Sequence, residues 1–323
     1  MFKKLAAASI GIVLCFLSVN AFAQKKSDIK IGWGPFPDVP QISQAVDKNL
    51  WKEEGLNAQI VPFFSGRASF EALLGGQLDF AIIAEFPAVI GAMQKQEFGI
   101  LARMSQYQAS RIISKNNIGF NSVKDLAGRK IGTTVGTNVH FLLDVELQMA
   151  GVKAEVVSVA PPDLLPALVR GDVDAAVMFP SFYAGAKKAL GDQYNEVRTP
   201  SYSTQFLLVG SGEIIDKYPD TVRGVLSTLL KGEKLIVDDP AESQQAVSRV
   251  IGKAIPLAGI VAGWSEHEYK MGLDNELLDL MLKEGQWIRE TGKIKNIEPT
   301  RQLFRPYFRG EFLKSLAGAR VNL

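Results

Sequence analysis

Two histidines, His140 and His267, and one cysteine, Cys15, are the whole supply of imidazole and thiol in this 323-residue chain. The histidines stand far apart with no ligand-like spacing, so a metal site is not expected. No nucleophile sits beside a base in a pattern that would activate it, and no cofactor is called for. The residues with the most chemical content bind rather than react. They lie in Gly128-Arg-Lys-Ile-Gly-Thr-Thr-Val-Gly-Thr-Asn-Val-His-Phe-Leu-Leu143. Thr134, Gly136, Thr137 and Asn138 are types that start a helix or let backbone approach a ligand. A strand, a loop and a helix start in that order aim backbone N–H groups and a positive helix end at one point, which suits an anion. An ordinary βα turn would have the same composition. The loop lacks both the Lys-Ser/Thr ending of a phosphate loop and the three-glycine dinucleotide spacing.

The elements that must position this loop recur along the chain. Ile29–Trp33 reads as a buried strand, and Val39, Ile42, Val46 and Leu50 follow at near-helical spacing up to Gly55. Ala58–Phe63 is a second strand, Ser65 caps a helix through Leu74, and Gly76-Gln-Leu-Asp79 leads into the strand Phe80–Ala84. The same order starts again about a hundred residues on. Lys130-Ile-Gly132 answers Lys30-Ile-Gly32, and Gly171-Asp-Val-Asp174 answers Gly76-Gln-Leu-Asp79. The two Gly-x-x-Asp turns read as helix-to-strand connections, with the aspartates fixing the turns rather than binding anything. Ser122–Asp125 is a capping box before Gly128. Ile100–Ile113 and Thr204–Val209 are apolar runs suited to extended crossovers between lobes. From Ser211 onward helices dominate: Pro219–Val237, one starting at Asp239-Pro240, a capping box at Ser265 and Glu268, and Asn275–Thr291 before Gly292. Trp264, Trp287, Phe304, Tyr307, Phe308 and Phe312 are expected to pack these helices onto the first lobe.

Lys3 and Lys4, an apolar run from Leu5 to Val19, and Ala21-Phe-Ala23 form a secretory signal pattern, with cleavage expected after Ala23. The apolar run is short for a membrane span, and Leu14 before Cys15 does not suit lipid attachment. Removing residues 1–23 leaves 34 basic and 34 acidic residues and no cysteine. A neutral, exported, soluble globule is expected, with no nucleic-acid face and no disulfide. Its length suits two lobes. The expected division is 24–105 for lobe 1, 106–206 for lobe 2, and 207–323 returning to lobe 1 with the terminal helices.

Gly76-Gln-Leu-Asp79, Ser122-Val-Lys-Asp-Leu-Ala-Gly-Arg-Lys-Ile-Gly132, Gly136-Thr-Asn-x-His140, Gly171-Asp-Val-Asp174 and Trp287-Ile-Arg-Glu-Thr-Gly-Lys-Ile294 carry a family resemblance over nearly the whole mature chain. In this order and spacing the chain resembles the substrate-binding proteins of ATP-binding-cassette importers for nitrate, aliphatic sulfonates and taurine, with their thiamine-precursor-binding relatives. The resemblance implies the α/β, two-lobed type II periplasmic-binding fold, with mixed sheets flanked by helices and the ligand in the interlobe cleft. It implies a periplasmic monomer that binds a small solute without chemistry and passes it to a membrane permease.

Carried over by position, the resemblance places Trp33, Gly34, Pro35 and Phe36 on one wall with Glu85, Phe86 and Pro87. Thr134, Gly136, Thr137, Asn138 and His140 belong to the facing lobe with Phe179 and Tyr183, and Gln106 or Tyr107 lies near the hinge. The family's Trp-Asp-Pro-Tyr is replaced by Met178-Phe-Pro-Ser181, so the group recognised there differs. Glu85 divides the readings. As a helix-start acid it needs no ligand. In the cleft it would repel a bare anion and favour an amino-sulfonate, a pyrimidine or an amide. The aromatic residues favour a ligand with an apolar or planar body, and a sulfonate or taurine-like solute is the leading expectation. Alternatives are a pyrimidine or other aromatic or amide solute, an enzyme on the same fold, or a ligand-sensing subunit. The pyrimidine synthases of the fold need a cysteine-rich segment that the mature chain lacks.

Overall fold

A computed structural model describes residues 25–199, 201–252 and 255–323; the expected leader lies outside them. The first sheet starts with β1 (Asp28–Trp33), whose Ile29 and Ile31 are buried. Helix α1 (Pro40–Asp47) follows, then β2 (Asn57–Pro62), α2 (Gly66–Leu74), β3 (Phe80–Ala84), α3 (Glu85–Met93) and β4 (Phe98–Tyr107). The second sheet takes β5 (Ser110–Lys115), β6 (Lys130–Thr133), α4 (Asn138–Ala150), β7 (Glu155–Ser158), α5 (Leu164–Arg170), β8 (Ala175–Val177), α6 (Tyr183–Leu190) and β9 (Tyr194–Thr199). The chain returns through β10 (Thr204–Ser211). It ends in α7 (Gly212–Lys217), α8 (Pro219–Asp238), α9 (Pro240–Ile251), α10 (Leu257–Trp264), β11 (His267–Glu268), β12 (Leu273–Asp274), α11 (Asn275–Glu290), α12 (Arg301–Phe304), α13 (Gly310–Leu316) and β13 (Val321–Asn322).

The sheets share one plan. In the first, the order is β11-β4-β10-β3-β1-β2; in the second it is β7-β6-β8-β5-β9. β1 lies parallel between β2 and β3, as β6 lies parallel between β7 and β8. An antiparallel strand then joins each third strand, β10 on β3 and β5 on β8. The repeat extends to single hydrogen bonds. Asp79 Oδ2 accepts from the Lys30 N–H at 2.8 Å, and Asp174 Oδ2 accepts from the Lys130 N–H at 2.8 Å. Each carboxylate clips the entry of its lobe's first strand, so the aspartates hold turns. Gly76 and Gly171, with φ of 72° and 86°, supply the left-handed residue each turn needs.

Strand pairing carries the first sheet to Tyr107, and β5 opens the second sheet at Ser110. Thr204 is already back in the first sheet opposite Tyr107. Ile100–Ile113 is therefore two strands of different sheets rather than one long crossover. The core of the first lobe sits between its sheet and helices α1 and α8, with Ile31, Phe80, Val225 and Leu229 fully buried. Each such side chain contributes roughly 1.5–3 kcal/mol by leaving water. The C-terminal helices cover the same lobe, as their aromatics suggested: Phe308 bridges to Ile100, and the Tyr307 ring lies 4.7 Å from Phe98.

One expected helix start is corrected. Ser265 and Glu268 form no capping box, because α10 ends at Trp264 with Ser265 as its C-cap, and His267–Glu268 pairs with Tyr107 and Gln106 at the sheet edge. The apolar run Leu257–Trp264 had already formed the helix, and the helix that follows is capped instead by Asp274, which accepts from the Leu277 N–H.

Candidate functional site

Residues at the carboxyl ends of the strands line a narrow cavity between the two sheets, open on one side. This is where ligands lie in open α/β sheets. Trp33, Gly34 and Phe36 come from the turn after β1, and Ile82, Ile83, Ala84 and Pro87 from the end of β3 and start of α3. Phe179 and Pro180 follow β8, and Phe206 comes from β10. Gly34 is required here: a Cβ would stand 2.4 Å from the Phe36 ring that folds over it. The walls are thus largely apolar and aromatic.

One end differs. Ser65, Gly66 and Arg67 open α2 on the first lobe, while Thr137 and Asn138 open α4 on the second. The leading N–H groups of a helix have no intrahelical partner, so both starts present donors and positive dipole ends to the same cavity. Ser65 Oγ accepts from the Ala68 N–H at 3.2 Å, which leaves its own hydrogen free to donate. Thr137 Oγ1 instead donates to the Thr134 carbonyl at 2.7 Å and tightens the loop. Gly66 lets α2 begin directly on β3, since a Cβ would lie 3.0 Å from Ile83 Cα. Arg67 adds a cation. Its Nη1 donates across the cleft to the Val135 carbonyl at 2.9 Å, and its Nε pairs with Glu71 at 2.8 Å. Gly136, with φ of 82°, makes room for that guanidinium: a Cβ would stand 2.6 Å from Nη1. The arrangement can hold an anionic head at one end and an apolar body along the rest.

Several residues expected in the cleft do other work. Glu85 is fully buried and does not line the cavity. Its Oε2 accepts from the Gln205 N–H at 2.7 Å, and the Glu284 carboxyl of α11 is fully buried beside it. Burial raises the Glu85 pKa to about 7 and, with the neighbouring Glu85 charge, lifts Glu284 well above its ordinary value, so both carboxyls favour the protonated form. The ammonium-partner reading of Glu85 is therefore set aside. Phe86 is also sealed, its ring 5.6 Å from Phe141 of α4 and 5.7 Å from Trp287 of α11. Solvent-free packing between these helices, rather than a ligand, accounts for both residues.

His140 faces away from the cavity. Its Nδ1 lies 3.4 Å from the Gly136 nitrogen, whose N–H it accepts, and 3.2 Å from Lys293 Nζ. Burial, with the Lys293 charge, pushes its pKa down to about 4, so the imidazole is neutral and braces the loop. Thr134 Oγ1 donates to the Val159 carbonyl and lies outside the cavity lining, as do Pro35 and Gln106. Gln106 lies on β4, paired with Gln205 and Glu268. Tyr107 and Tyr183 line a separate, larger chamber. Missed from sequence were Ser65–Arg67, Asp38 and Phe206. The helix cap at Ser65 was visible, and its place after the second strand of a parallel set was the signal that the same loop reaches the ligand position.

The family model described as NMT1/THI5 like matches residues 37–243. The chain belongs to that family. Among its relatives is the taurine-binding periplasmic protein of Escherichia coli (strain K12), 22% identical over 309 residues that span 90% of this chain and 95% of that one. The alkanesulfonate-binding protein of Xanthomonas axonopodis pv. citri, solved with MOPS bound, superposes with a TM-score of 0.74 at 18% identity, covering 88% of this chain and 99% of that chain. The periplasmic nitrate-binding protein of Synechocystis PCC 6803 gives 0.74 at 12% identity, covering 91% of this chain and 89% of its own. These structures fix the architecture as the two-lobed fold of periplasmic binding proteins, and the taurine relative is itself a binding protein.

Proposed function

We propose that this NMT1/THI5-like protein is an exported receptor for one small organic acid. It closes on a sulfonate or taurine-like compound and delivers it, as a monomer, to the membrane permease of an ATP-binding-cassette importer. The observation that carries the reading is the convergence of two helix starts and Arg67 on one end of a cavity whose other walls, apart from Asp38 (held by His267), are largely apolar. Donors and a cation at that end suit the sulfonate oxygens. Trp33, Phe36, Phe179 and Phe206 suit a body larger and less polar than nitrate. Glu85 lies outside the cavity, so it offers no repulsion to an anion. The names of the relatives, which include taurine and alkanesulfonate binders, support the same class, and their periplasmic setting supports cleavage after Ala23.

The test is a thermal-shift and calorimetric panel on the purified mature protein with taurine, butanesulfonate, benzenesulfonate, thiamine-type pyrimidines and nitrate. Sulfonates should raise the melting temperature by mass action, and nitrate should not. A response confined to nitrate or to pyrimidines would replace the sulfonate assignment. Turnover of any compound, with no binding response in the panel, would sink the receptor reading itself.

A further inference from the structure

Beside the apolar cavity, and sharing Asp38 and Pro180 with its wall, lies a second chamber of about 1750 Å³, open to solvent. Its character is opposite. On the second lobe it is faced by Arg111 of β5, Lys187 and Lys188 of α6, and Arg198 of β9. Arg111 and Arg198 share the carboxylates of Glu196 and Glu266. Lys187 and Lys188 are exposed and have no ion pair among the described residues, so the chamber's rim carries uncompensated positive charge.

Flat and apolar surfaces accompany the charge. Tyr183 lies under the Arg111 guanidinium at 4.8 Å, and the His267 ring stacks on Tyr269 at 5.3 Å with 8° between planes. The opposite wall is α10, an apolar helix of which only Ile260 is buried. The α10 residues on that wall are small and apolar, Ala258, Gly259, Ala262 and Gly263 beside the buried Ile260, so a flat ring can lie against them. Three wall groups also lack hydrogen-bond partners among the described residues: Arg111 Nε, Ser181 Oγ and the Tyr269 hydroxyl. None touches solvent, so side-chain rotation or lobe opening must bring them to a ligand. Leaving such groups unsatisfied costs about 1–3 kcal/mol each. Such orphans call for an explanation, and a missing ligand supplies one.

We propose that this chamber is a second binding site, distinct from the sulfonate cavity, for a flat organic acid. Its carboxylate or sulfonate oxygens accept from Lys187, Lys188, Arg111 Nε and the Ser181 and Tyr269 hydroxyls, and its body lies between α10 and the tyrosine rings. The assignment does not depend on what the apolar cavity binds. It also explains why a chamber wall combines cations, hydroxyls and an apolar helix, since neither water nor a purely apolar ligand would match all three.

Calorimetry with benzoate and benzenesulfonate, titrated to about 10 mM to reach weak sites, tests it on the mature protein and two double variants. Lys187→Ala/Lys188→Ala removes exposed charges and should fold with unchanged melting temperature, and Ser181→Ala/Tyr269→Phe removes buried hydroxyls that hold no partner and should hold or raise it. The wild type should show a second binding step, and each double variant should weaken that step alone by about tenfold, the size of a lost charge-assisted hydrogen bond. Arg67→Ala should weaken only the other step. A single step that Arg67→Ala weakens and the chamber variants leave intact overturns the second site. A single step lost only in the two chamber variants keeps the second site and instead removes the apolar cavity from the proposed function. No step sensitive to the chamber variants overturns it as well.

Discussion

At the scale of single residues, charge placement decides what each group can do. Arg67 is half exposed and reaches the cavity from a helix start. Arg67→Ala should therefore weaken sulfonate binding about tenfold or more, through loss of a charge-assisted bond, with little change in melting temperature; titration calorimetry reads the first and a thermal scan the second. Equal affinity would detach Arg67 from the site. Glu85 shows the opposite case. Its identity at a helix start was legible, but its burial was not, because Glu284 arrives from almost two hundred residues away. The pair also sets a pH dependence. A carboxyl whose pKa is raised on folding binds more protons folded than unfolded, so its stabilising share is lost as pH rises through the folded value. For Glu85 that window runs upward from its ordinary 4.5 to about 7, and Glu284, raised well above 4.5, acts in the same direction. His140, lowered to about 4 from 6.5, acts oppositely and only below 6.5. From pH 6.5 to 8 the melting temperature should fall in the wild type. In Glu284→Gln the slope should flatten, because the amide removes the second acid. An unchanged slope would refute the protonated pair.

At the scale of elements, the two lobes repeat each other closely enough to be tested against each other. Asp79 and Asp174 make the same bond to the first strand of each lobe, and Asp174→Ala should cost about 1–3 kcal/mol, the price of a lost charged hydrogen bond, as measured by chemical denaturation. These turns were readable because glycine and aspartate are there for backbone reasons that need no partner far away. The α4 start was readable for the same reason. The matching role of the α2 start was not, since Ser65 announces a cap without saying what the helix points at. Gly136 joins the two. Gly136→Ala would force a side chain onto φ of 82° and into Arg67, costing about 1–2 kcal/mol for the left-handed backbone. Solute affinity should fall together with stability, whereas a purely local turn would lose stability alone.

At the scale of the whole molecule, two short passages between sheets, near Tyr107–Ser110 and Thr199–Thr204, carry the connection while the lobes touch across the cleft. Arg67 meets the Val135 carbonyl, Asn138 Nδ2 donates to Thr204 Oγ1 at 3.1 Å, and the Phe36 and Phe182 rings approach to 6.2 Å. The fold was legible because the strand–helix repeat and the return of the chain leave few ways to cover two parallel sheets. The cleft was less so, because the residues that share it are brought together by lobe approach and not by any local pattern. A solute that bridges both helix starts should raise the melting temperature in proportion to the logarithm of its concentration. Saturation of that rise at low concentration would mean binding to the unfolded chain or to another state.

Trp287 gives the molecule its own gauge. The indole belongs to a helix packed on the first lobe, yet its ring lies 5.3 Å from Phe141 and 5.7 Å from His140 on the second, with Lys293 Nζ 3.9 Å from its centre. Indole emission responds to neighbouring charge and to water, so any sliding of α4 past α11 should change the colour or yield of this fluorophore. A solute that leaves that contact untouched would leave the Trp287 emission unchanged, so with Trp33 of the cavity wall replaced by Phe, unlabelled fluorescence reads whether the lobes move when the cavity fills.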